Sequence, residues 1–430
     1  MELIVLGLFC GALLLCVLLD LSILYALAGG LLLFLLYGRR KGFSWGELCR
    51  TAMEGVLTVK NILITFVLIG MLTALWRDAG TIPVIVCYAA GMIRPAVFLV
   101  MTFLLNCLVS VLTGTAFGTA ATMGVICAAM GAAMEVDMVL TGGAVLSGVF
   151  FGDRCSPAST SALLVSELTH TNIFQNIKAM LRTSAVPFLL TAAIYTVMGL
   201  PLGGEGTPPD LNVIFSRGFT LHWAALLPAA VVLVLALFQV NVKAAMGASI
   251  LTALPISLLL QHTPLSDLPR LLIFGYRAAD PELAALLNGG GIVSMLRVAA
   301  IVCLSSSYSG IFRKTGMLDR VETLIHRLGE RTNSYTAMLL TAAGAGMIAC
   351  NQTLAIMLTH QLCSGDREDR VQLANDLEDT AVVVSPLVPW SIAGGVPLAS
   401  VGAPVSAIPL AFFLWLLPLW RWLRSMTKKK

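Results

Sequence analysis

Apolar residues fill this chain in long runs, at about residues 3–19, 21–37, 61–76, 82–112, 119–134, 138–151, 184–200, 221–239, 243–260, 291–312, 335–360 and 381–423. A helix that crosses a hydrocarbon core needs roughly 20 apolar residues, and most of these runs have that scale. Several are too long for one span or are cut by Gly and Pro. The pattern therefore predicts an all-α polytopic membrane protein with about 11–13 transmembrane elements. The first run has no basic segment ahead of it, and Asp20 is followed at once by a second run. That predicts a helical hairpin rather than a cleaved leader.

Composition sharpens the class. The 430 residues are 58% hydrophobic and 12% charged. Soluble domains carry roughly 25% charged residues, so a soluble fold would leave too much apolar surface in water. A net charge of +4 is too mild to argue for nucleic acid. The basic residues instead mark loop ends, as they do on the cytoplasmic side of a bilayer. They are Arg39, Arg40 and Lys41, then Lys178 and Arg182, then Arg313, Lys314, Arg320, Arg327 and Arg331, and the tail Lys428, Lys429 and Lys430. The loops 201–218 and 261–290 are relatively acidic and face outward. Both termini then lie in the cytoplasm. The 10 cysteines include no CxxC pair and read as small core residues.

Two connectors carry helix signals. Ser44 and Glu47 have capping-box spacing. Met317, Val321, Leu324, Ile325 and Leu328 form one apolar stripe, which predicts either an interfacial helix or a packed connector.

The two halves of the chain share an order of features. In the first, Gly114-Thr115 breaks a span and Gly152-Asp153-Arg154-Cys155-Ser156-Pro157 breaks another. In the second, Cys350-Asn351-Gln352-Thr353 interrupts an apolar run, and Glu378-Asp379 leads to Ser385-Pro386. Matching interruptions in two halves are the sequence signature of a secondary transporter's binding site. The corresponding division is an N-terminal hairpin and connector (1–60), a first transport repeat (61–218) and a second (219–430).

The physics of a broken span supports this. Backbone freed from a helix at membrane depth is tolerated only beside protein or a water-filled cavity. A Ser-Pro step frees a carbonyl. Such carbonyls, with the hydroxyls of Ser156, Ser159, Thr160, Ser161 and Ser385, are hard oxygen ligands suited to sodium. A carboxylate within the bilayer costs roughly 2.5–3.5 kcal/mol on insertion scales, so Asp153 and Asp379 are expected to face a cavity. A proton and a cation compete for such a group, because burial raises its pKa and a bound cation lowers it. The alternative is that both acids sit at the interface and cap half-helices. Glu135, Asp137 and Glu167 read as loop or cap residues, and His360 as interfacial or a proton relay. Gly114/Gly118 and Gly148/Gly152 have close-packing spacing. Ser305-Ser306-Ser307-Tyr308-Ser309-Gly310 either lines a path or ends a helix.

These stretches resemble the NhaC-type sodium/proton antiporter family of the ion transporter superfamily. The matching segments are GTAFGTAAT (114–122), GDRCSP (152–157), SSSYSGIF (305–312), NQTLAIML (351–358) and LEDTAVVVSPLVPW (377–390). The resemblance runs from about residue 60 to the C-terminus. It implies sodium and proton transport in a bacterial inner membrane, two inverted repeats with re-entrant hairpins, and a homodimer. It also implies an ion site of Asp153, Ser156, Asp379 and Ser385, with Thr115, Asn351 and Gln352 nearby and sodium on Asp153 and Asp379. No cofactor is implied other than the sodium itself. In one respect the chain departs from the family, which often reads Ser-Asp-Thr-Thr-Asn after the Ser-Pro. Here Ser159-Thr160-Ser161-Ala162-Leu163 lacks that acid and amide. A less charged pocket suits a small organic solute, a carboxylate or amino acid, moved with sodium or protons. An intramembrane hydrolase using Asp153 and Asp379 is the enzyme reading, and the chain is expected not to be an enzyme.

Overall fold

A computed structural model of the chain describes residues 2–19, 21–90, 94–157, 159–203, 211–238, 240–316, 333–349, 351–365 and 369–427. The amphipathic connector expected around 317–328 lies outside the described residues. What is described is helical, with a single isolated bridge between Tyr276 and Gly289. The α-helices, in chain order, are α1 (Glu2–Leu18), α2 (Ile23–Arg40), α3 (Trp45–Thr58), α4 (Lys60–Asp78), α5 (Thr81–Ala90), α6 (Pro95–Thr113), α7 (Ala116–Ala133) and α8 (Met138–Cys155). There follow α9 (Thr160–Thr169), α10 (Ile173–Gly199), α11 (Leu211–Ser216), α12 (Leu227–Leu237), α13 (Val242–Leu259), α14 (Leu268–Phe274) and α15 (Pro281–Leu287). The last are α16 (Leu296–Thr315), α17 (Ser334–Ala349), α18 (Gln352–Cys363), α19 (Arg370–Leu377), α20 (Ile392–Val401) and α21 (Phe412–Thr427).

By length and composition, six described helices can cross a membrane, and the bent pair Arg370–Leu387 with Ile392–Val401, angled at 56°, makes up to seven. Shorter apolar helices such as Lys243–Leu259 and Ser334–Ala349 account for much of the difference from the expected count. Large apolar side chains remain exposed, among them Leu189 and Val197 on α10. On a membrane protein that surface faces acyl chains.

The hairpin of α1 and α2 forms where the sequence placed it. Phe9, Phe34, Tyr308 and Phe312 pack edge to face between it and α16, and the Tyr308 hydroxyl donates to the Leu27 carbonyl. The serine-rich turn of α16 therefore packs inward, and Ser305 and Ser307 donate to carbonyls of their own helix.

The capping box also forms. Ser44 Oγ accepts from Glu47 N–H at 3.2 Å, and Ser44 N–H donates to Glu47 Oε2 at 3.0 Å. The Ser44 amide, then its hydroxyl, then the Lys314 charge hold the Glu47 carboxyl below its usual range. A depressed carboxyl contributes stability above its unfolded pKa and loses it as pH falls through the folded pKa. Acidification through that lowered pKa is thus expected to fray the first turn of α3, and Ser44→Ala to fray it at neutral pH. Faster amide exchange at residues 45–47 reports both; protection unchanged by either would remove the box as the anchor.

Between α6 and α8 the GxxxG spacing acts as packing. A Cβ on Gly148 would lie 2.6 Å from the Phe103 carbonyl oxygen, and one on Gly152 would collide with Ser110. The two backbones touch where the site is built. Gly148→Val is expected to cost about 1–3 kcal/mol, since a backbone carbonyl cannot step aside. Thermal unfolding in detergent checks this, and an unchanged midpoint would count against it.

Candidate functional site

The site is built from helix ends. Gly114, with φ of 65°, closes α6, and Thr115 turns extended to cap α7 by accepting from Gly118 N–H at 3.3 Å. At the end of α8, Ser156 leaves the helical region (φ −98°, ψ 135°) because Pro157 follows it. Ser159 then caps α9, accepting from Ala162 N–H at 3.3 Å. In the second half Asn351 caps α18, accepting from Thr353 N–H at 2.9 Å. Next, α19 passes through a π turn (Glu378–Val382) and a 3-10 turn (Ser385–Leu387) before α20 starts at a new angle. The halves interlock: α20 packs on a π turn inside α7 (Ala120–Gly124), and α9 packs on α18 and α19.

Asp153, in the last turn of α8, is 5% exposed and lies where three helices begin. It accepts from Ser159 Oγ at 3.2 Å and Ser161 Oγ at 2.8 Å at the start of α9. Gln352 Nε2, at the start of α18, reaches it at 3.4 Å and also donates to the Val382 carbonyl at 3.2 Å. The Ala116 amide, at the start of α7, points at it as well. Partial positive charge at three helix N-termini thus surrounds one carboxylate, with hydroxyl and amide oxygens beside it.

Asp379 is a different kind of acid. It is fully buried and ion-paired with Arg154, itself fully buried. Arg421 Nε of α21 lies 2.7 Å from its other oxygen. Asn375 Nδ2 (3.2 Å) and Thr183 Oγ1 (3.3 Å) donate to it too. Arg421 continues to Asp376 at 2.7 Å and stacks over the Tyr335 ring, 5.5 Å from its centroid. Two arginines and two aspartates make a neutral array.

Between these clusters sits Glu378. It is fully buried, and neither carboxylate oxygen has a hydrogen-bond partner. Asp153, Asp379 and Arg154 all lie within electrostatic range of it. Among the described residues, neither Glu378 nor Asp153 has a cationic side chain at ion-pair distance. No three His, Cys, Asp or Glu side chains among the described residues converge as a metal site. A small cation here would draw on hydroxyl, amide and carbonyl oxygens.

The structure brings together Asp153, Ser159, Gln352 and Ser161. Thr115 and Asn351 serve as helix caps at the rim. Ser156 donates to the Val111 carbonyl at 2.7 Å, and Ser385 to the Ala381 carbonyl at 2.6 Å, so both hydroxyls brace backbone. Thr160, the first residue of α9, is exposed and takes no part in the cluster. Asp379 is held by Arg154 and Arg421, apart from the hydroxyl and amide donors that surround Asp153. Sequence reasoning missed Arg154, Glu378 and Arg421. The signal for the first was present: an arginine beside an acid in an apolar stretch needs a buried partner.

With this geometry in hand, comparison with known proteins is direct. The profile of the Na+/H+ antiporter family matches residues 3–170 and 148–421. A malate-2H+/Na+-lactate antiporter of Bacillus subtilis is 30% identical over 428 residues, covering 96% of this chain and 90% of the relative. The Na+/H+ antiporter NhaC of Alkalihalophilus pseudofirmus is 27% identical, covering 90% of this chain and 86% of the relative. The arginine/ornithine antiporter ArcD of Halobacterium salinarum is 28% identical, covering 86% and 79%. On the family profile and the full-length similarity together, this chain belongs to the Na+/H+ antiporter family.

Proposed function

We propose that the protein exchanges sodium for protons at Asp153 and Glu378. One observation carries this reading: of the five buried acids among the described residues, Asp376 and Asp379 are matched by Arg154 and Arg421, Asp78 lies on α4 and accepts from Ser257 and Thr263, and Asp153 and Glu378, at the broken spans, have no cation at ion-pair distance. An isolated charge at depth is costly, so an unmatched carboxylate takes up a proton or a metal ion. The hydroxyls and helix starts around Asp153 hold its anion ready for sodium. Glu378 has no donor and holds a proton until a cation arrives nearby. Exchange between these two states is antiport. The basic loop ends support a bacterial cytoplasmic membrane location with both termini inside.

In everted vesicles, sodium is expected to dissipate a preset proton gradient, and Glu378→Gln to remove most of that response. A Glu378→Gln protein that exchanges normally would take this residue out of the mechanism. A second reading has sodium or protons moving with a small carboxylate. It is favoured by the 30% identity to a malate/lactate carrier and by the absence of an acid at Thr160. Uptake of labelled lactate or malate driven by a sodium gradient, without sodium-dependent proton release, would shift the assignment to that cargo.

A further inference from the structure

We propose that the Arg154–Asp379 ion pair is a positioning device that sets the spacing of the two ion-binding carboxylates. This rests on the reading of Asp153 and Glu378 as the ion-binding pair. Arg154 follows Asp153 on α8, and Asp379 follows Glu378 on the π turn after α19. Successive residues of a helix are separated by about 1.5 Å along the axis and about 100° around it. Fastening Arg154 to Asp379 therefore fixes where the preceding residue of each helix points. A slip of one residue between the two elements would separate Asp153 from Glu378.

The clamp is built from several elements. Arg154 comes from α8 and also donates to Thr183 Oγ1 (2.9 Å) and the Met180 carbonyl (3.2 Å) on α10. Thr183 in turn donates to Asp379, so one hydroxyl touches both partners of the pair. Arg421 holds the far oxygen of Asp379 from α21, and the Tyr335 hydroxyl of α17 donates to the Asp379 carbonyl at 3.3 Å.

Stability alone is a poor explanation for such an array. A buried ion pair gains little over a well-packed apolar pair, whereas its directional bonds specify register. The Arg154 Nε has no hydrogen-bond partner although it is buried, so the arginine is not placed to satisfy all its donors. Its four terminal donors serve orientation instead.

The test separates positioning from bulk stability by the split between sodium KM and maximal rate in proteoliposomes. Arg154→Lys keeps the charge but gives up the fork, and its sodium KM is expected to rise about tenfold with maximal rate kept within about twofold. Thr183→Val preserves shape at a half-buried position, so it guards against a folding defect in the lysine variant. Its KM is expected to rise in the same direction by about threefold, below the range typical for losing a whole ligand-supporting partner. A sodium-dependent rise in melting temperature should weaken in parallel. An unchanged KM in both variants, with or without lost stability, overturns the proposal. So does a lost maximal rate at unchanged KM. Asp153→Asn serves as the separating control: normal exchange by that variant would sink the ion-site reading itself. An inactive Asp153→Asn beside an unshifted Arg154→Lys would sink only the positioning role.

Discussion

Asp153→Asn is expected to abolish sodium-dependent proton movement while leaving a folded protein in the membrane. The substitution keeps the size and one acceptor oxygen of the side chain. Ser159 and Ser161 can therefore still be partnered, and packing around α8 is undisturbed. What disappears is the negative charge that makes a sodium ion worth stripping of its water. The hydroxyls beside Asp153 and the Gln352 amide are neutral and offer only dipoles. Removing the charged ligand of a cation site is expected to lower apparent sodium affinity by at least the roughly 10–100-fold typical of losing a supporting partner. Everted vesicles from cells expressing the variant report this directly, with membrane insertion followed by fluorescence-detected gel filtration. A variant that still collapses the gradient at ordinary sodium concentrations would exclude Asp153 as the ion ligand.

The second large effect is on folding. Arg154→Leu leaves Asp379 with half its countercharge in a fully buried position. Breaking one side of a buried pair costs about 3–5 kcal/mol, because the remaining charge is uncompensated. Expression and the unfolding midpoint in detergent should fall sharply. Replacing both residues, Arg154→Leu with Asp379→Leu, is expected to cost less than the two single changes summed, since each single change strands the other's charge. Strict additivity would mean that the two side chains do not act as a pair.

Much of this site was legible in the sequence, and the rest failed for definable reasons. Gly114-Thr115, Ser156-Pro157 and Asn351 announce broken spans through local rules: left-handed glycine, pre-proline restriction and side-chain capping. Asp153 and the hydroxyls after it follow from short spacing within one turn-and-helix segment. The ion pairing of the second-half acids did not follow. Glu378 and Asp379 are neighbours, and which of them meets the arginines depends on a π turn that no local pattern marks. The pairing of Arg154 with Asp379 spans 225 residues of sequence, so only the tertiary fold reveals it. Thr160 lies one position past the cap: Ser159 takes the cap, and Thr160 is exposed on the first turn of α9.

The three helix starts around Asp153 also bear on how tightly cargo can be held. Helix starts carry positive partial charge, and those beside this carboxylate oppose any cation drawn to it. At the proposed site the carboxylate would attract sodium while its own scaffold pushes back, which would cap residence time. A storage site would be spoiled by that opposition. A carrier depends on it, because an ion that binds too well is never unloaded on the far side.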